Sequence, residues 1–193
     1  ARRGIPAALV FTKPDLADTA NLAAIYRGAG YPVCQVNSLT GEGIPQVRAL
    51  FQGGLSAFCG NSGAGKSTLL NALYPELQLA TGEISRKLGR GRHTTRHVEL
   101  FPTGDGGYIA DTPGFSAVEF LQFEKMPAAA LEDCFPEFGP YREKCRFTGC
   151  SHRVEKGCAV LAAVEEGKIP ESRHQSYRAI YEELRGVKEW ELK

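Results

Sequence analysis

The sequence has almost no net charge, with 23 Lys and Arg residues against 22 Asp and Glu, so overall charge gives no argument for a nucleic-acid partner. It also lacks any apolar run near the roughly 20 residues that cross a bilayer, so we expect no membrane association. It has no signal-peptide pattern, which favours a cytoplasmic location. What it does have is 42% hydrophobic residues, a proportion typical of a globular protein.

An initiating methionine is also missing, because the chain begins ARRGIP, a few residues before the first predicted strand. We interpret this beginning as that of a fragment and expect segments to be missing upstream. A length of 193 residues suffices for one domain with an appendage. We expect the chain to be a monomer.

Short apolar runs alternate with segments of helical period, which predicts an α/β domain with a mostly parallel sheet and helices on both faces. The predicted strands are 5–12, 31–37, 55–60, 97–103 and 106–112. The predicted helices are 16–30, 43–54, 67–75, 127–135, 158–167 and 171–187, and a Gly- and Arg-rich loop is predicted at 80–97. The pattern changes near residue 126, so we predict the α/β domain at 1–125 and a small helical, cysteine-bearing domain at 126–193.

A phosphate-binding loop is the most specific motif of the first domain. The stretch GNSGAGKS fits the pattern G-x-x-x-x-G-K-[ST], between a predicted strand and a predicted helix. Glycines let successive backbone N–H groups point at phosphate oxygens, and the helix N-terminus adds its positive dipole end. The alternative is a glycine-rich turn with an incidental Lys-Ser. The predicted phosphate-binding residues are Gly60, Asn61, Ser62, Gly63, Ala64, Gly65, Lys66, Ser67 and Thr68.

Four further roles follow from a phosphate loop. Lys66 is expected to reach the β- and γ-phosphates, and Ser67 to bind Mg²⁺. A second Mg²⁺ ligand belongs at a strand end, which is the place of Asp111 in the stretch DTPG, and the N–H of Gly114 would approach the γ-phosphate. By itself D-x-P-G is only a turn signal. Its place downstream of a phosphate loop favours the Mg²⁺ role.

Two segments ahead of the phosphate loop have the residue types that read guanine. In Thr12-Lys13-Pro14-Asp15, the lysine stem suits a purine face, and the carboxylate can accept the two N–H hydrogen bonds that guanine offers and adenine lacks. An ordinary strand-ending turn is the alternative. Asn37-Ser38-Leu39 follows the next predicted strand, where GTPases carry a second, backbone-mediated guanine contact. Both segments are in their usual mutual order, but they precede the phosphate loop.

This order resembles the circularly permuted GTPases and, among them, the RsgA (YjeQ/EngC) family of small ribosomal subunit biogenesis GTPases. The resemblance covers almost the whole chain, through TKPD, SLTGEG, GNSGAGKSTLLNAL, GRGRHTTRHVELF, DTPGF, FPEF and GCAVLAAVEEGKI. It implies a permuted P-loop GTPase domain, GTP and GDP as ligands, Mg²⁺, and a small ribosomal subunit and its rRNA as partners. The family also carries an N-terminal RNA-binding OB-fold, which we expect this sequence to lack. Thr12 replaces the family's Asn, which leaves a shorter hydroxyl to tie this loop to the phosphate loop.

The Gly- and Arg-rich loop corresponds to switch I of that family. Thr94 or Thr95 would contact Mg²⁺ and the γ-phosphate, and the arginines suit RNA phosphates, although a solvated charged loop is the alternative. Phe115 stands where Ras-like enzymes have a water-orienting Gln, so we expect slow intrinsic hydrolysis. His93 is the candidate to orient water in its place; contact with RNA or solvent is its alternative role.

The second domain has a metal-ligand pattern. Cys145, Cys150, His152 and Cys158 supply three thiolates and one imidazole, the set of a closed structural zinc site. A disulfide or core cysteines are the alternatives, and a cytosolic chain with this tight spacing disfavours both. His174 lies far along a predicted helix, and we expect it at the surface.

The expected function is therefore GTP binding and hydrolysis in maturation of the small ribosomal subunit, with hydrolysis stimulated by the ribosomal particle. One alternative is a nucleotide-responsive RNA-binding module with negligible catalysis, which Phe115 favours. Another is an ATP-using P-loop enzyme such as a kinase, which TKPD and SLTGEG disfavour.

Overall fold

The chain divides into two compact units in a computed structural model, which describes residues 4–51, 53–61, 63–78, 99–104, 106–111 and 126–186. The first, called here the α/β unit, takes in Ala8–Ala23 and Val33–Val118. The second, called the helical unit, takes in Ala1–Ala7, Ala24–Pro32 and Glu119–Lys193. The division of the chain into domains at residue 126 stays a prediction.

Strands and helices alternate up to residue 111, and only helices follow in the described remainder. In chain order the regular elements are β1 Leu9–Thr12, α1 Ala20–Gly28, β2 Val33–Val36, α2 Ile44–Arg48, β3 Leu55–Ala57, α3 Lys66–Leu73, β4 Glu99–Pro102, β5 Tyr108–Asp111, α4 Gly139–Arg142, α5 Ala159–Glu165 and α6 Glu171–Arg185. Short 3₁₀ helices add Ala49–Phe51, Pro75–Leu77, Ala128–Cys134 and Pro136–Phe138.

The described strands pair mostly in parallel. β1 pairs with β2 in parallel, with Thr12 opposite Val36, and α1 forms the crossover that such a pair needs. β5 lies between β3, to which it is parallel, and β4, to which it is antiparallel. The predicted strand pair around the GDGG turn is therefore confirmed as β4 and β5. The mixed α/β character of this unit is confirmed as well, and its parallel pairings bring strand ends to shared edges.

The core of the α/β unit rests on one face of α3. Leu69, Leu70 and Leu73 are buried there, because helical spacing of three to four residues places side chains on one side. Pro75 follows the helix and cannot continue it. The buried residues of this core are Val36, Val47, Leu69, Leu70, Leu73, Tyr74 and Ile109.

A tight loop joins β2 to α2, and its last residue has to be glycine. The N–H of Asn37 donates to the carbonyl of Glu42 at 3.0 Å, which closes the loop. Gly43 then starts α2 with φ of 78°, in the left-handed region. A Cβ at Gly43 would lie 2.1 Å from the carbonyl oxygen of Gln35. Both the backbone conformation and this close approach exclude a side chain.

The helical unit has an aromatic core. The ring centroids of Phe138 and Tyr177 are 4.9 Å apart, and those of Phe135 and Tyr177 are 5.2 Å apart with perpendicular planes. Phe138 and Tyr177 are almost fully buried. The buried residues of this core are Leu131, Phe135, Phe138, Cys158, Val160, Ala163, Ile169, Tyr177 and Leu184. A unit of this size therefore depends on large rings, each of which buries much apolar area.

A buried arginine ties the segment 24–32 into the helical unit. The Arg173 Nε donates to Glu137 Oε1 at 2.7 Å, and both side chains are largely buried. The Arg173 guanidinium also lies over the rings of Phe135, Tyr26 and Tyr31, at 4.7, 5.2 and 5.9 Å from their centroids. Aromatic faces and a carboxylate together compensate a cation removed from water.

One predicted helix differs in type from the structure. Residues 128–134 form a 3₁₀ helix, in which the N–H of Phe135 donates to the carbonyl of Glu132. Pro136 follows at once, and the residue before a proline avoids the α conformation. Among the described residues, no helix has the length and apolar character needed to cross a membrane.

We predict that Gly43→Ala destabilises the protein far more than Gly41→Ala. Both residues have left-handed backbones, with φ of 78° and 83°, and an alanine there costs about 1–2 kcal/mol. Only at position 43 does the new methyl also meet a carbonyl oxygen, which adds about 1–3 kcal/mol of overpacking. Urea denaturation of the two variants measures the difference; equal losses of unfolding free energy would contradict the tight approach.

Candidate nucleotide site and metal cluster

The two predicted base-reading segments follow paired strands. β1 ends at Thr12 and β2 at Val36, and these two residues are directly opposite in a parallel pair. The carboxyl ends of parallel strands meet at one edge of the sheet, so Lys13–Asp15 and Asn37–Leu39 leave the sheet side by side. The Asn37 Nδ2 donates to the Asp15 Oδ1 at 3.2 Å. The structure therefore brings together two segments that the sequence separates.

The phosphate loop has the backbone that its glycines allow. Gly63 and Gly65 have φ of 79° and 86°, in the left-handed region. Gly65 caps the N-terminus of α3, whose first two residues are Lys66 and Ser67. The Lys66 Nζ donates to the carbonyls of Gly60 at 2.5 Å and of Asn61 at 2.9 Å, so its ammonium group lies over the loop. This arrangement presents a helix N-terminus and one cation at the same place, which suits an anion.

The base-reading segment is joined directly to the phosphate loop. The Thr12 hydroxyl donates to the carbonyl of Ala64 at 2.7 Å, and the Lys13 Nζ donates to the carbonyl of Gly63 at 2.9 Å. Lys13 has a left-handed backbone, with φ of 55°, which is uncommon for a residue other than glycine. The strained conformation turns the chain at the end of β1, where both contacts begin. Thr12 thus makes the tie between loops even though it is shorter than an asparagine.

Asp111 lies at a strand end. It is the last residue of β5, and β5 runs parallel to β3, the strand that leads into the phosphate loop. Ala110 lies opposite Ala57, so Asp111 follows at the edge where Gly60 begins the loop. This is the edge at which a second Mg²⁺ ligand is expected.

Five other predicted site residues lie outside the described part of the chain: Ser62, His93, Thr94, Thr95 and Gly114. The Gly- and Arg-rich loop at 80–97 and Phe115 lie outside it too.

The cysteine and histidine residues of the helical unit converge on one point. The potential ligand atoms of Cys145, Cys150, His152 and Cys158 all lie within 4.8 Å of one another. The His152 Nδ1 is 3.4 Å from the Cys158 Sγ and 3.6 Å from the Cys145 Sγ, and these two sulfurs are 3.8 Å apart. Such separations are those of ligands around a shared tetrahedral centre.

The chemistry of this donor set fits a divalent cation. Burial raises the pKa of the Cys150 thiol to about 12, and the neighbouring Cys158 and Cys145 contribute to the rise. Burial likewise raises the pKa of Cys158. Burial and the two neighbouring thiols disfavour the thiolate form of Cys150, and a bound dication would reverse that preference. Thiolate and imidazole ligands in a closed set of four are typical of zinc.

His152 is held by groups that the sequence pattern does not reveal. Its Nε2 lies 2.7 Å from a carboxylate oxygen of Glu132, which leaves Nδ1 facing the cysteines. A carboxylate on the far nitrogen fixes the ring and strengthens it as a ligand. The ring is almost fully buried, and the backbone of His152 is left-handed, with φ of 54°. Glu132 therefore belongs to the cluster although it lies twenty residues before the histidine.

The turn between the ligands is organised by a carboxylate. Glu155 accepts hydrogen bonds from the backbone N–H groups of Ser151 at 2.9 Å, Arg153 at 2.9 Å and Val154 at 3.1 Å. Burial favours the neutral form of Glu155, but these bonds and the one from the Ser151 hydroxyl outweigh it and lower its pKa to about 2. Glu155 thus satisfies backbone donors in a loop that has little core of its own.

The prediction that His174 lies at the surface is wrong. This residue is buried on α6, and its Nε2 lies 2.7 Å from the carbonyl oxygen of His152. The Tyr177 hydroxyl, one turn further along α6, donates to the carbonyl of Ser151 at 3.0 Å. The helix therefore supports the backbone at the metal ligand. The helical period of the sequence could have indicated this burial, because positions 174, 177 and 184 share one helical face.

Comparison with known proteins identifies a family for most of this chain. A family model for the RsgA GTPase matches residues 1–121. The chain belongs to the RsgA GTPase family. The match spans both predicted base-reading segments, the predicted phosphate loop and Asp111.

Curated relatives and solved structures extend the likeness into the helical unit. The small ribosomal subunit biogenesis GTPase RsgA of Moorella thermoacetica is 47% identical over 93% of this chain and 62% of its own length. The protein of the same name from Agathobacter rectalis is 44% identical over 94% of this chain and 60% of its own length. The chain therefore spans about 60% of the length of these relatives.

Two crystal structures share the fold. YjeQ from Thermotoga maritima has a TM-score of 0.79 and 34% identity, covering 97% of this chain and 63% of that protein. YloQ, described as a circularly permuted GTPase, has a TM-score of 0.72 and 32% identity, covering 94% of this chain and 57% of that protein. The predicted base-reading segments precede the phosphate loop in the sequence, which agrees with a permuted order of GTPase elements.

We predict that Thr12→Val lowers the free energy of unfolding by about 1 kcal/mol. Valine keeps the shape of threonine but leaves the carbonyl of Ala64 without its hydroxyl donor. Urea denaturation measures the loss, with the exposed Thr148→Val as the matched control. Equal midpoints for both variants would mean that the contact between the two loops does not stabilise the fold.

Proposed function

We propose that this chain binds GTP and hydrolyses it to GDP as a factor in maturation of the small ribosomal subunit. The observation that carries the proposal is the junction of base-reading and phosphate-binding segments through Thr12 and Lys13. A nucleotide that touches both segments needs a base and a phosphate chain at one fixed separation. Membership of the RsgA GTPase family supports the same substrate.

Guanine selectivity would come from Asp15. Its carboxylate can accept hydrogen bonds from the two adjacent N–H groups of a guanine edge, whereas adenine presents no such pair. The Lys13 stem would lie along the purine face, and the backbone of Asn37–Leu39 would meet the guanine carbonyl. An ATP-using enzyme would have no use for this carboxylate, so we disfavour that alternative.

The phosphates would be held by the loop 60–68. Its backbone N–H groups and the N-terminus of α3 would surround them, and the Lys66 ammonium would move from its carbonyl contacts to the β- and γ-phosphates. Ser67 and Asp111 are the residues that would hold Mg²⁺, which neutralises developing phosphate charge. With Phe115 in the place of a glutamine, this chain has no water-orienting side chain there. We propose His93 for that task, with Thr94, Thr95 and Gly114 at the γ-phosphate.

The partner proposed for the active state is the small ribosomal subunit with its rRNA. Relatives named for small ribosomal subunit biogenesis support this partner, and the arginines of the loop 80–97 would suit an RNA backbone. Slow hydrolysis without a partner and faster hydrolysis on the particle would make the protein a timing factor. We propose that it acts in the cytoplasm as a monomer, with the nucleotide site in residues 1–125.

In residues 126–193 we propose one structural zinc ion held by Cys145, Cys150, His152 and Cys158. Four protein ligands leave no open position for substrate, so the ion would cross-link the chain rather than take part in the reaction. The Glu132 carboxylate would keep the His152 ring in the ligating orientation.

A nucleotide-responsive RNA-binding module with negligible catalysis is the second candidate. Phe115 favours it, because a phenyl ring cannot polarise water. The two candidates share nucleotide binding and differ in turnover.

We predict that the chain binds GDP in preference to ADP and that purified small ribosomal subunits accelerate its GTP hydrolysis. Lys66→Ala should lower both GTP affinity and hydrolysis by at least about tenfold, which corresponds to about 1.4 kcal/mol. The exposed Lys168→Ala is the matched control and should change neither. Labelled-nucleotide binding and phosphate release measure the two quantities.

Equal affinity for GDP and ADP would contradict the guanine site. Selective GTP binding with a slow rate that subunits leave unchanged would favour the RNA-binding candidate. Repeating the assay with a chain extended to the relatives' full length then tests whether residues beyond this chain are required for stimulation.

We also predict one zinc ion per chain in purified protein, and its loss in Cys158→Ser. Because the cluster lies against the aromatic core, chelation should lower the unfolding temperature by several degrees, corresponding to a few kcal/mol. Elemental analysis and thermal unfolding measure these changes. Cys59→Ser, at an exposed cysteine outside the cluster, should retain its zinc; equal zinc content in both variants would contradict the site.

A further inference from the structure

The thiols of the proposed zinc site differ in their exposure. Cys145 and Cys150 are half-buried, and both line a cavity of about 550 Å³. The wall of this cavity includes the exposed Arg146 and Phe147, so the cavity opens to solvent. Cys158, by contrast, is only 4% exposed. A small polar molecule in the cavity would therefore meet the sulfur of Cys145 or Cys150 before that of Cys158.

Two of the three sulfurs are held close together at the first turn of α5. The Cys145 Sγ accepts a hydrogen bond from the N–H of Ala159 at 3.4 Å, and the Cys158 Sγ accepts one from the N–H of Leu161 at 3.5 Å. The two sulfurs are 3.8 Å apart. Because the backbone of one short helix anchors both sulfurs, their proximity does not depend on a metal ion.

This pair combines an accessible thiol with a buried one at short range. To form a disulfide bond, the two sulfurs need to approach by about 2 Å from their separation of 3.8 Å, a movement that side-chain rotation supplies. An accessible thiolate beside a second, resolving cysteine is the arrangement of many redox-sensing sites. In cytosolic proteins of ordinary organisms, disulfides are usually transient and serve catalysis or redox sensing.

We infer that Cys145 and Cys158 form a peroxide-sensitive pair whose oxidation releases the zinc ion; this inference rests on the proposed zinc site. Hydrogen peroxide would enter the cavity, where the Cys145 thiolate would attack one of its oxygens. The O–O bond breaks, hydroxide leaves, and Cys145 becomes a sulfenic acid, a two-electron oxidation matched by reduction of the peroxide. The Cys158 thiolate then attacks the Cys145 sulfur, the S–O bond breaks, and a second hydroxide leaves as the disulfide forms.

Oxidation of this pair removes two of the four ligands at once. A disulfide sulfur carries no negative charge, and the thiolate is the form of cysteine that binds metal, so Cys150 and His152 would be the only ligands left. The segment from Cys145 to Cys158 would then lose its metal cross-link. Peroxide would thereby destabilise the helical unit, and a thiol reductant with added zinc would restore it.

Zinc release from the unsubstituted chain tests the inference. Reduced, zinc-loaded protein is treated with hydrogen peroxide, and a chelating dye that changes absorbance on binding zinc follows the released ion. We expect complete loss of the zinc, a lower unfolding temperature, and a disulfide between the peptides that contain Cys145 and Cys158, detected by mass spectrometry. Dithiothreitol and added zinc should reverse all three changes. Cys59→Ser, which removes an exposed thiol outside the cluster, should release its zinc at the same rate.

Two histidine variants form a matched pair, because each keeps four potential ligands and replaces one thiol that lines the cavity. Cys145→His removes the attacking thiol, and we expect peroxide to release its zinc at least about tenfold more slowly. Cys150→His keeps the pair of Cys145 and Cys158 and should release its zinc at nearly the unsubstituted rate. Zinc content before oxidation shows whether each variant binds the ion; if either does not, peptide mapping of the unsubstituted chain still tests the pair.

Retention of zinc under peroxide that fully oxidises Cys59 would overturn the inference. Release of zinc with Cys150 in the disulfide would overturn it too, as would equal release rates in zinc-loaded Cys145→His and Cys150→His. Each of these outcomes leaves the proposed nucleotide and zinc sites intact. Absence of zinc from the reduced, unsubstituted protein would instead contradict the proposed zinc site itself.

Discussion

The hydrogen bond from Thr12 to the carbonyl of Ala64 is the contact on which the proposed site depends. It joins residues that are 52 positions apart, and with the bond from Lys13 to Gly63 it sets the distance between base and phosphate segments. The predicted base-reading segments precede the phosphate loop in the sequence, so this junction has to be made by a tertiary contact. A threonine suffices here, because its hydroxyl lies 2.7 Å from the carbonyl oxygen of Ala64.

The metal cluster in the helical unit lies in a segment that has little regular secondary structure to hold it. The segment from Cys145 to Cys158 has no regular secondary structure in its middle, and the Glu155 carboxylate accepts from three of its backbone N–H groups. An aromatic core supports it from one side, through His174 and Tyr177 on α6. A bound ion would provide the cross-links that such a short irregular segment cannot obtain from burial alone.

Local patterns in the sequence predicted much of this protein. The phosphate loop and the Cys₃His set were predictable because glycine conformations and ligand spacing act over a few residues. Glu132 and its contact with His152 were not, because twenty residues separate them and only tertiary packing brings them together. His174 was misplaced since its distance from the ligands hid a shared helical face. Residues 128–134, within the predicted helix 127–135, form a 3₁₀ helix that ends before Pro136, a constraint that helical period alone does not express.

The order of strands also has a consequence for how the protein is made. β1 and β2 precede the phosphate loop, so during synthesis the base-reading half emerges before the residues that would hold the phosphates. The contact between Thr12 and Ala64 is non-local, and contacts of that kind form late because their loop-closure entropy must first be overcome. The proposed nucleotide would therefore stabilise only a nearly complete α/β unit, and the early chain would fold without help from that ligand.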